Sequence, residues 1–302
     1  MITQLSEFRS EHLQQAVGLL NDEYRGGFEF ISYDEERIAS HIRRWNLKVL
    51  VAEENNQLLG LIATRKEERS EDDIFWLAAQ KGSKQKNIEN MLVNAVEKTA
   101  KSNTISTGID EGSPRIPDWI KRGYTLSPGW LRMSAELTGS KSIPETSKEI
   151  ILRSLKAEEE QQLIEVMNKG FGWRRLEPGA INGWKTEDPP FTEDWVQVAE
   201  TSGTIVSAVV AKPDTDYNRY LHLNRGHLGP AATLPEHRGK HLASALTVKA
   251  MNFLHEKGMK TARLGTSELN VPSIRLLREL GFHVDSTRKI LRKNLRNDKA
   301  AN

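Results

Sequence analysis

The sequence predicts an α/β fold, a mixed and twisted β-sheet packed with helices, that occurs twice along the chain. Strand-like and helix-like periodicities alternate in the same order through both halves. Short stretches also recur, because Val51–Glu53 resembles Val198–Glu200 and residues 120–124 resemble residues 278–282. Between the halves, residues 138–148 have the composition of a linker.

We therefore predict two domains, at 1–140 and 149–296, that arose by duplication, with two α/β halves similar by chance as the alternative. The distance between matching stretches grows from 147 to 158 positions along the chain. We expect the required insertion in a polar hairpin around 213–219 of the second half.

The first half follows this pattern from its first residues. Apolar residues at helical spacing and alternating apolar residues predict the following elements. They are a strand at 2–8, helices at 11–24 and after the N-cap Asp34, strands at 47–53, 58–65 and 74–79, a helix from 88, a strand at 104–109, a short helix at 116–121, and closing strands at 124–137.

The second half repeats the order, with a long loop between its first helix and second strand. Its predicted elements are a strand at 149–156, a helix at 157–169, strands at 194–200 and 204–212, a strand at 229–234, a helix at 242–254, and a last strand at 288–296.

Composition limits the classes of function. The chain has 302 residues, of which 37% are hydrophobic and 28% charged, so it is expected to be globular. It lacks cysteine, which excludes disulfides, thiolate metal sites and thiol nucleophiles. A net charge of +2 gives little support to nucleic acid as a partner. No signal peptide or membrane-spanning run is evident, so we expect a cytoplasmic protein without membrane contact.

One stretch carries most of the functional information. Residues 229–234 form an apolar strand, Pro235 ends it, and a helix follows after the turn at 236–241. The first amides of a helix lack internal partners, and the helix dipole adds partial positive charge there. Arg238, Gly239 and Lys240 supply basic side chains and a flexible backbone position. The stretch therefore predicts a phosphate-binding turn.

Three motifs in order resemble the GNAT superfamily of acetyl-CoA-dependent N-acyltransferases: Leu234–Ala243, Asn270–Ile274 and Leu280–Phe282. The resemblance covers about 149–295, and the first half looks like a second copy without the phosphate turn. The tandem arrangement is similar to that of mycothiol synthases. The family fold implies a sheet that splays between its fourth and fifth strands, with acyl-CoA in the opening.

The resemblance also implies positions for the residues that bind acetyl-CoA, without a metal. Strand backbone groups would pair with pantetheine and polarise the thioester, turn amides would hold the pyrophosphate, and the loop after the fifth strand would contact the pantetheine arm. These positions are Ala231, Ala232 and Thr233; Arg238, Gly239, Lys240, His241, Leu242 and Ala243; and Asn270.

Three positions depart from the family pattern. His241 replaces a glycine or alanine, and we expect its amide to serve if its φ is helical while its imidazole faces solvent; direct phosphate contact is the alternative. Glu236 replaces a Gln or Arg. Leu277 replaces the tyrosine that protonates the leaving thiolate in many members, a role that water or Ser273 could fill.

An amine acceptor also needs a base. His227 on the fourth strand is the first candidate and Glu268 at the end of the fifth strand is the second. Each has a structural alternative: His227 as a hydrogen-bonded strand residue and Glu268 as the cap of the next helix. Glu200 matches Glu53, so we expect both to serve the fold.

The acceptor is expected to meet the loop at 171–191, where Trp173 and Trp184 stand near Glu187 and Asp188 and could surround a cation. Alternatively, the aromatic rings anchor the loop. The sequence predicts direct acetyl transfer to an amine, of a small molecule, thiol-sugar, polyamine, protein or peptide. A CoA-binding module without catalysis is the alternative, and the oligomeric state stays open.

Overall fold

In the computed structural model, residues 3–66 and 71–295 are described. By its internal contacts the chain divides into two compact units. Unit 1 comprises Met1–Gly129 and Ser286–Asn302, and unit 2 comprises Trp130–Asp285. The domain ranges 1–140 and 149–296 describe two contiguous segments of the chain, and they remain a prediction.

The first half of the chain contains six strands and four α-helices among its described residues. The strands are β1 (Gln4–Glu7), β2 (Lys48–Glu54), β3 (Gln57–Lys66), β4 (Asp72–Ala79), β5 (Thr104–Asp110) and β6 (Thr125–Glu136), and the helices are α1 (Leu13–Tyr24), α2 (Glu35–Arg44), α3 (Gln85–Thr99) and α4 (Ile116–Lys121). Asp34 caps α2 as predicted, with its side chain accepting from the Arg37 amide.

The second half contains six strands and five α-helices among its described residues. The strands are β7 (Ile151–Ser154), β8 (Val196–Thr201), β9 (Thr204–Pro213), β10 (Arg225–Thr233), β11 (Thr261–Ser267) and β12 (His283–Asn294), and the helices are α5 (Glu160–Phe171), α6 (Ala180–Glu187), α7 (Thr215–Leu221), α8 (Leu242–Glu256) and α9 (Val271–Glu279).

Each unit has a mixed sheet that is completed by a strand from the other half of the chain. In unit 1, β1 to β5 are neighbours in that order, and β5 pairs antiparallel with β12 from Arg288↔Asp110 to Asn294↔Thr104. In unit 2, β7 to β11 are neighbours, and β11 pairs antiparallel with β6 from Thr261↔Glu136 to Ser267↔Trp130. The two last strands are therefore exchanged.

The duplication is visible in individual hydrogen bonds. In unit 1 the Gln15 side-chain oxygen accepts from the Leu58 amide at 2.8 Å. In unit 2 the Gln162 side-chain oxygen accepts from the Ile205 amide at 3.1 Å. Both members of the second pair lie 147 positions after their counterparts, so the halves share their internal polar contacts as well as their topology.

Glu53 and Glu200 serve the fold in the same way. The Ser6 hydroxyl donates to Glu53, and Arg153, at the position equivalent to Ser6, donates to Glu200 at 2.7 Å. These contacts tie the first strand of each unit to the second.

Most of the insertion in the second half lies at two places. The amides of Gln80 and Leu234 both close the end of the fourth strand, through bonds to Leu59 and Val206, and they are 154 positions apart. The increase of seven over the earlier offset equals the length of the seven-residue helix α7, which precedes β10. Three of the remaining four residues lie in the turn before α8, which starts 157 positions after α3, and the last lies after β11, which also starts 157 positions after β5.

The structure differs from the sequence prediction in three segments. The predicted loop 171–191 contains α6, the polar segment at 213–219 is largely helical, and residues 124–137 form one strand instead of several. No described helix is long and apolar enough to cross a membrane.

Candidate functional site

The turn between β10 and α8 has the backbone of an anion-binding loop. Pro235–His237 form a short 3-10 helix, and Gly239 then adopts a left-handed conformation with φ 74°. His241, at φ 58°, is also left-handed and is followed directly by α8, which is 15 residues long. Two residues in the left-handed conformation thus stand directly before the first turn of the helix.

These amides have no acceptor within the described part of the chain. The Arg238 amide donates to the Pro235 carbonyl at 3.3 Å, and the next amide along the chain with a backbone bond is that of Ala245, which donates to the His241 carbonyl at 3.0 Å. The amides of 239–244 therefore remain available to a ligand. Leu242 is buried and Ala243 exposed, so the helix start is held by the core on one side only.

The two basic side chains of the turn lie at its surface. The Arg238 guanidinium donates to the carbonyl of Gly170, at the end of α5, at 2.8 Å. Lys240 lies 3.4 Å from the His237 ring. Arg238 and Lys240 add positive charge beside the amides.

The backbone of His241 does not meet the condition set for it. Its amide was expected to bind phosphate if its φ is helical, but the residue adopts the left-handed conformation that the replaced glycine would favour. Its side chain is exposed, as expected. A histidine in this conformation still presents its amide, at the cost of some backbone strain.

Strand β10 leaves its neighbour β11 shortly after entering the sheet. The two strands pair in parallel only from Arg225↔Thr261 to His227↔Arg263. On its other side β10 keeps its pairing with β9, with a bulge between Leu228 and Ala231 that contains Gly229 at φ 131°. The sheet of unit 2 is therefore open beside Ala231–Thr233, next to the turn.

Comparison of the two units indicates which amide in this opening is available. In unit 1 the Leu77 amide donates to the Tyr24 hydroxyl at 3.0 Å. The equivalent of Leu77 in unit 2 is Ala231, and the equivalent of Tyr24 is Phe171, which has no hydroxyl. The opening beside Ala231 thus lacks the side chain that fills it in unit 1.

Ala232 and Thr233 are held from β9. The Ser207 hydroxyl lies 3.1 Å from the Ala232 carbonyl and 2.7 Å from the Thr233 hydroxyl. A Cβ at Gly170 would stand 2.7 Å from that of Ala232, so glycine lets α5 approach the strand closely. Both residues are placed by their neighbours at the edge of the opening.

The predicted residues on α9 have local partners. Asn270 is the N-cap of α9, and its side-chain oxygen accepts from the Ser273 amide at 3.3 Å. The Ser273 hydroxyl lies 3.5 Å from that of Thr266 on β11. Leu277 is only 4% exposed and belongs to the hydrophobic core of unit 2, so no acid occupies its position.

His227 points along β10 towards the bulge. Its Nε2 atom lies 3.7 Å from the position that a Cβ on Gly229 would take. No hydrogen-bond partner of its ring is found within 3–66 and 71–295, which argues against the hydrogen-bonded alternative. Burial, reinforced by the positive charges of Lys212 and Arg263, lowers the pKa of His227 to about 4.

Glu268 lies in the turn after β11 and is half-buried. It does not cap the following helix, because Asn270 does. Glu268 directly follows the strand next to that of His227, beyond the point where the two strands separate.

In the segment 171–191, cations of the chain itself lie against the tryptophans. Arg175 lies over Trp173, with 5.7 Å from its guanidinium carbon to the ring centroid. Lys212 lies over Trp184 at 5.6 Å and pairs with Asp188 at 2.6 Å. This arrangement fits the alternative that the rings anchor their own segment.

Ion pairs join α3 to α4 in unit 1. Glu89 on α3, which is 2% exposed, pairs with Arg115 at 3.0 Å and with Arg122 at 2.9 Å, and Arg115 also pairs with Glu23 on α1. The equivalent positions on α8 and α9 in unit 2 are Leu246, Ser273 and Leu280. Charged side chains thus bridge α3 and α4 in unit 1, whereas the equivalent residues of α8 and α9 in unit 2 form no such bridge.

Sequence reasoning missed Lys212 and Arg263, which flank His227 on the neighbouring strands. The pairing register brings them together, and a single sequence does not show that register. Among described residues, no group of three His, Cys, Asp or Glu side chains could hold a metal ion.

Residues 157–282 match the acetyltransferase (GNAT) family. No curated protein sequence matches the chain. Among solved structures, the chain is similar to a GCN5-related N-acetyltransferase from Sphaerobacter thermophilus, with a TM-score of 0.72 and 15% identity over 97% of this chain and 96% of that one.

Two further solved structures have the same fold. A tandem GNAT protein from the clavulanic acid biosynthesis pathway has a TM-score of 0.69 and 14% identity over 97% of this chain and 99% of that one. A GCN5-related glucosamine N-acetyltransferase region in a fungal multi-domain β-N-acetylglucosaminidase has a TM-score of 0.76 and 12% identity. The match covers 97% of this chain but only 38% of the fungal protein.

Proposed function

We propose that unit 2 transfers an acetyl group from acetyl-CoA directly to an amine, because residues 157–282 match the acetyltransferase (GNAT) family and the chain has the fold of a tandem GNAT protein. The observation that carries the proposal is the row of amides at 239–244, without acceptors in the described chain, beside the opening between β10 and β11. The glucosamine acceptor named for the fungal relative indicates that this fold serves amine acceptors.

The residues present fit acetyl-CoA. The amides of the turn, with Arg238 and Lys240 beside them, suit a pyrophosphate. The open edge of β10 at Ala231–Thr233 suits the amide-bearing pantetheine arm, with Asn270 and Ser273 on the facing helix α9. When bound there, acetyl-CoA supplies a thioester as the electrophile.

Unit 2 then contributes polarisation and proton transfer. The Ala231 amide would donate to the carbonyl oxygen as negative charge develops on it. A lysine-type amine with a pKa of about 10.4 is neutral in only about one molecule in a thousand at pH 7, so its proton must be removed. His227, neutral at pH 7, offers a lone pair but holds a proton weakly, so it suits transfer of that proton onward to water.

The departing thiolate has no side-chain acid at position 277. Because a thiol has a pKa of about 8.5, its anion costs only about 2 kcal/mol at pH 7. Loss of the tyrosine therefore slows the reaction without preventing it, and Ser273 or water can donate instead. In the absence of cysteine, transfer proceeds in a ternary complex without a covalent carrier.

Incubation with acetyl-CoA and a panel of amines, followed by measurement of free thiol, tests the proposal. We expect release that depends on both the enzyme and the amine. The competing function is a CoA-binding module, which the absence of a side-chain acid at Leu277 favours. Tight CoA binding without amine-stimulated thiol release would establish that function and exclude catalysis.

A further inference from the structure

Three basic side chains form a stripe across the sheet of unit 2, on Lys212, His227 and Arg263. His227 is the register partner of Lys212 on β9 and of Arg263 on β11. Paired residues of neighbouring strands point to the same face, with strands about 4.8 Å apart. The basic stripe therefore presents an ammonium, an imidazole and a guanidinium side by side.

Lys212 and Arg263 are held in place by aromatic and acidic groups. Asp188, which is 7% exposed, accepts one hydrogen bond from Lys212, and Trp184 lies against the same ammonium. An ammonium has three donors, and within 3–66 and 71–295 Lys212 uses only one of them. Arg263 lies over the ring of Tyr217, on the inserted helix α7, with 5.3 Å from its guanidinium carbon to the ring centroid.

Unit 1 supplies an internal comparison. The register places Arg65, Asp73 and Ser106 at the positions of Lys212, His227 and Arg263. There the central residue is a carboxylate, and Asp73 accepts from Arg65 at 3.1 Å. Unit 1 thus carries its own anion between its neighbours, whereas unit 2 has an uncharged imidazole at that place between two cations.

We propose that the amine acceptor carries a carboxylate, which binds to the basic stripe with Lys212 and Arg263 on either side of His227. The proposal rests on the proposed function and narrows its acceptor to amino carboxylates. The His227 ring at the centre of the stripe lies beside the bulge at Gly229, where the amine would meet the opening beside Ala231. The positive potential that lowers the pKa of His227 is the potential that attracts an anion.

A carboxylate on the acceptor is opposite in charge to the cation that the sequence suggested. Trp184 and Asp188 had suggested a pocket for a cation. Because Lys212 already occupies the space against both, a cationic acceptor would face repulsion there, and a carboxylate would add charge-assisted hydrogen bonds.

The first test compares acceptors of equal length. A series of ω-amino carboxylates is offered with acetyl-CoA beside the diamine and the uncharged alkylamine of each length. We expect kcat/KM for the best amino carboxylate to exceed that for its diamine at least tenfold. Equal or higher kcat/KM for the diamines overturns the proposal.

The second test uses two substitutions with opposite expected effects. Lys212→Gln should reduce kcat/KM for the amino carboxylate about tenfold and leave the uncharged amine unchanged. Asp188→Asn should increase kcat/KM for the amino carboxylate, because the Asp188 carboxylate, which competes with the acceptor for Lys212, loses its charge. Lys185→Gln removes another lysine paired to a carboxylate, Glu193, and serves as the matched control. A parallel loss in both test variants for every amine would indicate a structural role and overturn the proposal.

Binding without turnover separates this proposal from the proposed function. Butyrate is titrated into the protein while the His227 ring resonances are followed by NMR. We expect saturable shifts in the wild type that weaken at least tenfold in Lys212→Gln and in Arg263→Gln. Failure of thiol release with every amine would refute the transferase, whereas absence of any butyrate effect would refute the carboxylate site.

Discussion

His227 illustrates at the residue scale how neighbouring strands determine the chemistry of one side chain. Its own sequence context suggested a base on the fourth strand. The pairing register adds Lys212 and Arg263 beside it, and with burial they hold its pKa near 4 instead of 6.5. In the proposed reaction, His227 would consequently act as a neutral proton relay rather than as a base that retains its proton.

The lowered pKa predicts a pH dependence of stability. As the pH falls below 6.5 the unfolded chain protonates this histidine first, so its contribution to stability is complete above 6.5 and is lost towards pH 4. A difference of that size corresponds to about 3 kcal/mol at most. The loss of unfolding free energy between pH 7 and 4.5, from urea denaturation, should be smaller in His227→Gln than in the wild type.

His241→Gln is the control for this measurement, because His241 is exposed in the same unit. Its loss of unfolding free energy should equal that of the wild type. An equal loss in the wild type and in His227→Gln would show that His227 does not titrate with a lowered pKa.

At the scale of elements, the turn before α8 distinguishes the two units. In unit 1 the corresponding turn is three residues shorter, and α3 starts after Lys84, whose φ of −89° is right-handed. The Ile88 amide is bonded to Lys84, as that of Ala245 is to His241 in unit 2, but the Gln85 amide is also bonded, to Gly82. The shorter turn therefore uses internally an amide whose counterpart in unit 2, that of Leu242, remains available.

Substitution of one glycine in each turn tests this difference. Gly239→Trp should abolish CoA binding, measured by calorimetric titration, because the indole would fill the space in front of the amides. Gly82→Trp should leave the affinity unchanged. Both glycines have positive φ and open surroundings, so backbone strain is present in both variants. An equal loss of affinity would contradict the assignment of the site to unit 2.

The turn was predictable from the sequence because its signals are local. Pro235, Gly239 and the apolar spacing of the helix all lie within one short stretch. The helix α6 was not predicted, since its segment mixes glycine, proline and charged residues without helical spacing. The basic stripe joins positions 212, 227 and 263, and only the strand register shows that they are neighbours.

At the scale of the whole molecule, the exchange of β6 and β12 could not be predicted from the sequence either. The repeat predicts that each half ends with a closing strand, and both strands are present. Nothing local indicates which sheet each strand joins, because the alternating pattern is the same for either partner.

The exchange predicts how fragments behave. A fragment covering 149–296 lacks residues 130–136 and leaves the β11 edge of unit 2 unpaired. We expect it to aggregate, whereas 130–285, which corresponds to unit 2, should unfold cooperatively on heating. Circular dichroism melts and size-exclusion chromatography of both fragments check this. A soluble, cooperatively folded 149–296 would show that β6 is dispensable to unit 2.

The exchanged strands also bear on how the gene can change. A mutation that removes the first half of the chain removes β6 and with it a strand of unit 2, and a mutation that removes the end removes a strand of unit 1. Neither half of the chain can therefore be lost without removing a strand from the unit that remains. Selection for unit 2 alone is sufficient to preserve the first half, even though the Tyr24 hydroxyl fills the opening of unit 1 and ion pairs bridge its helices.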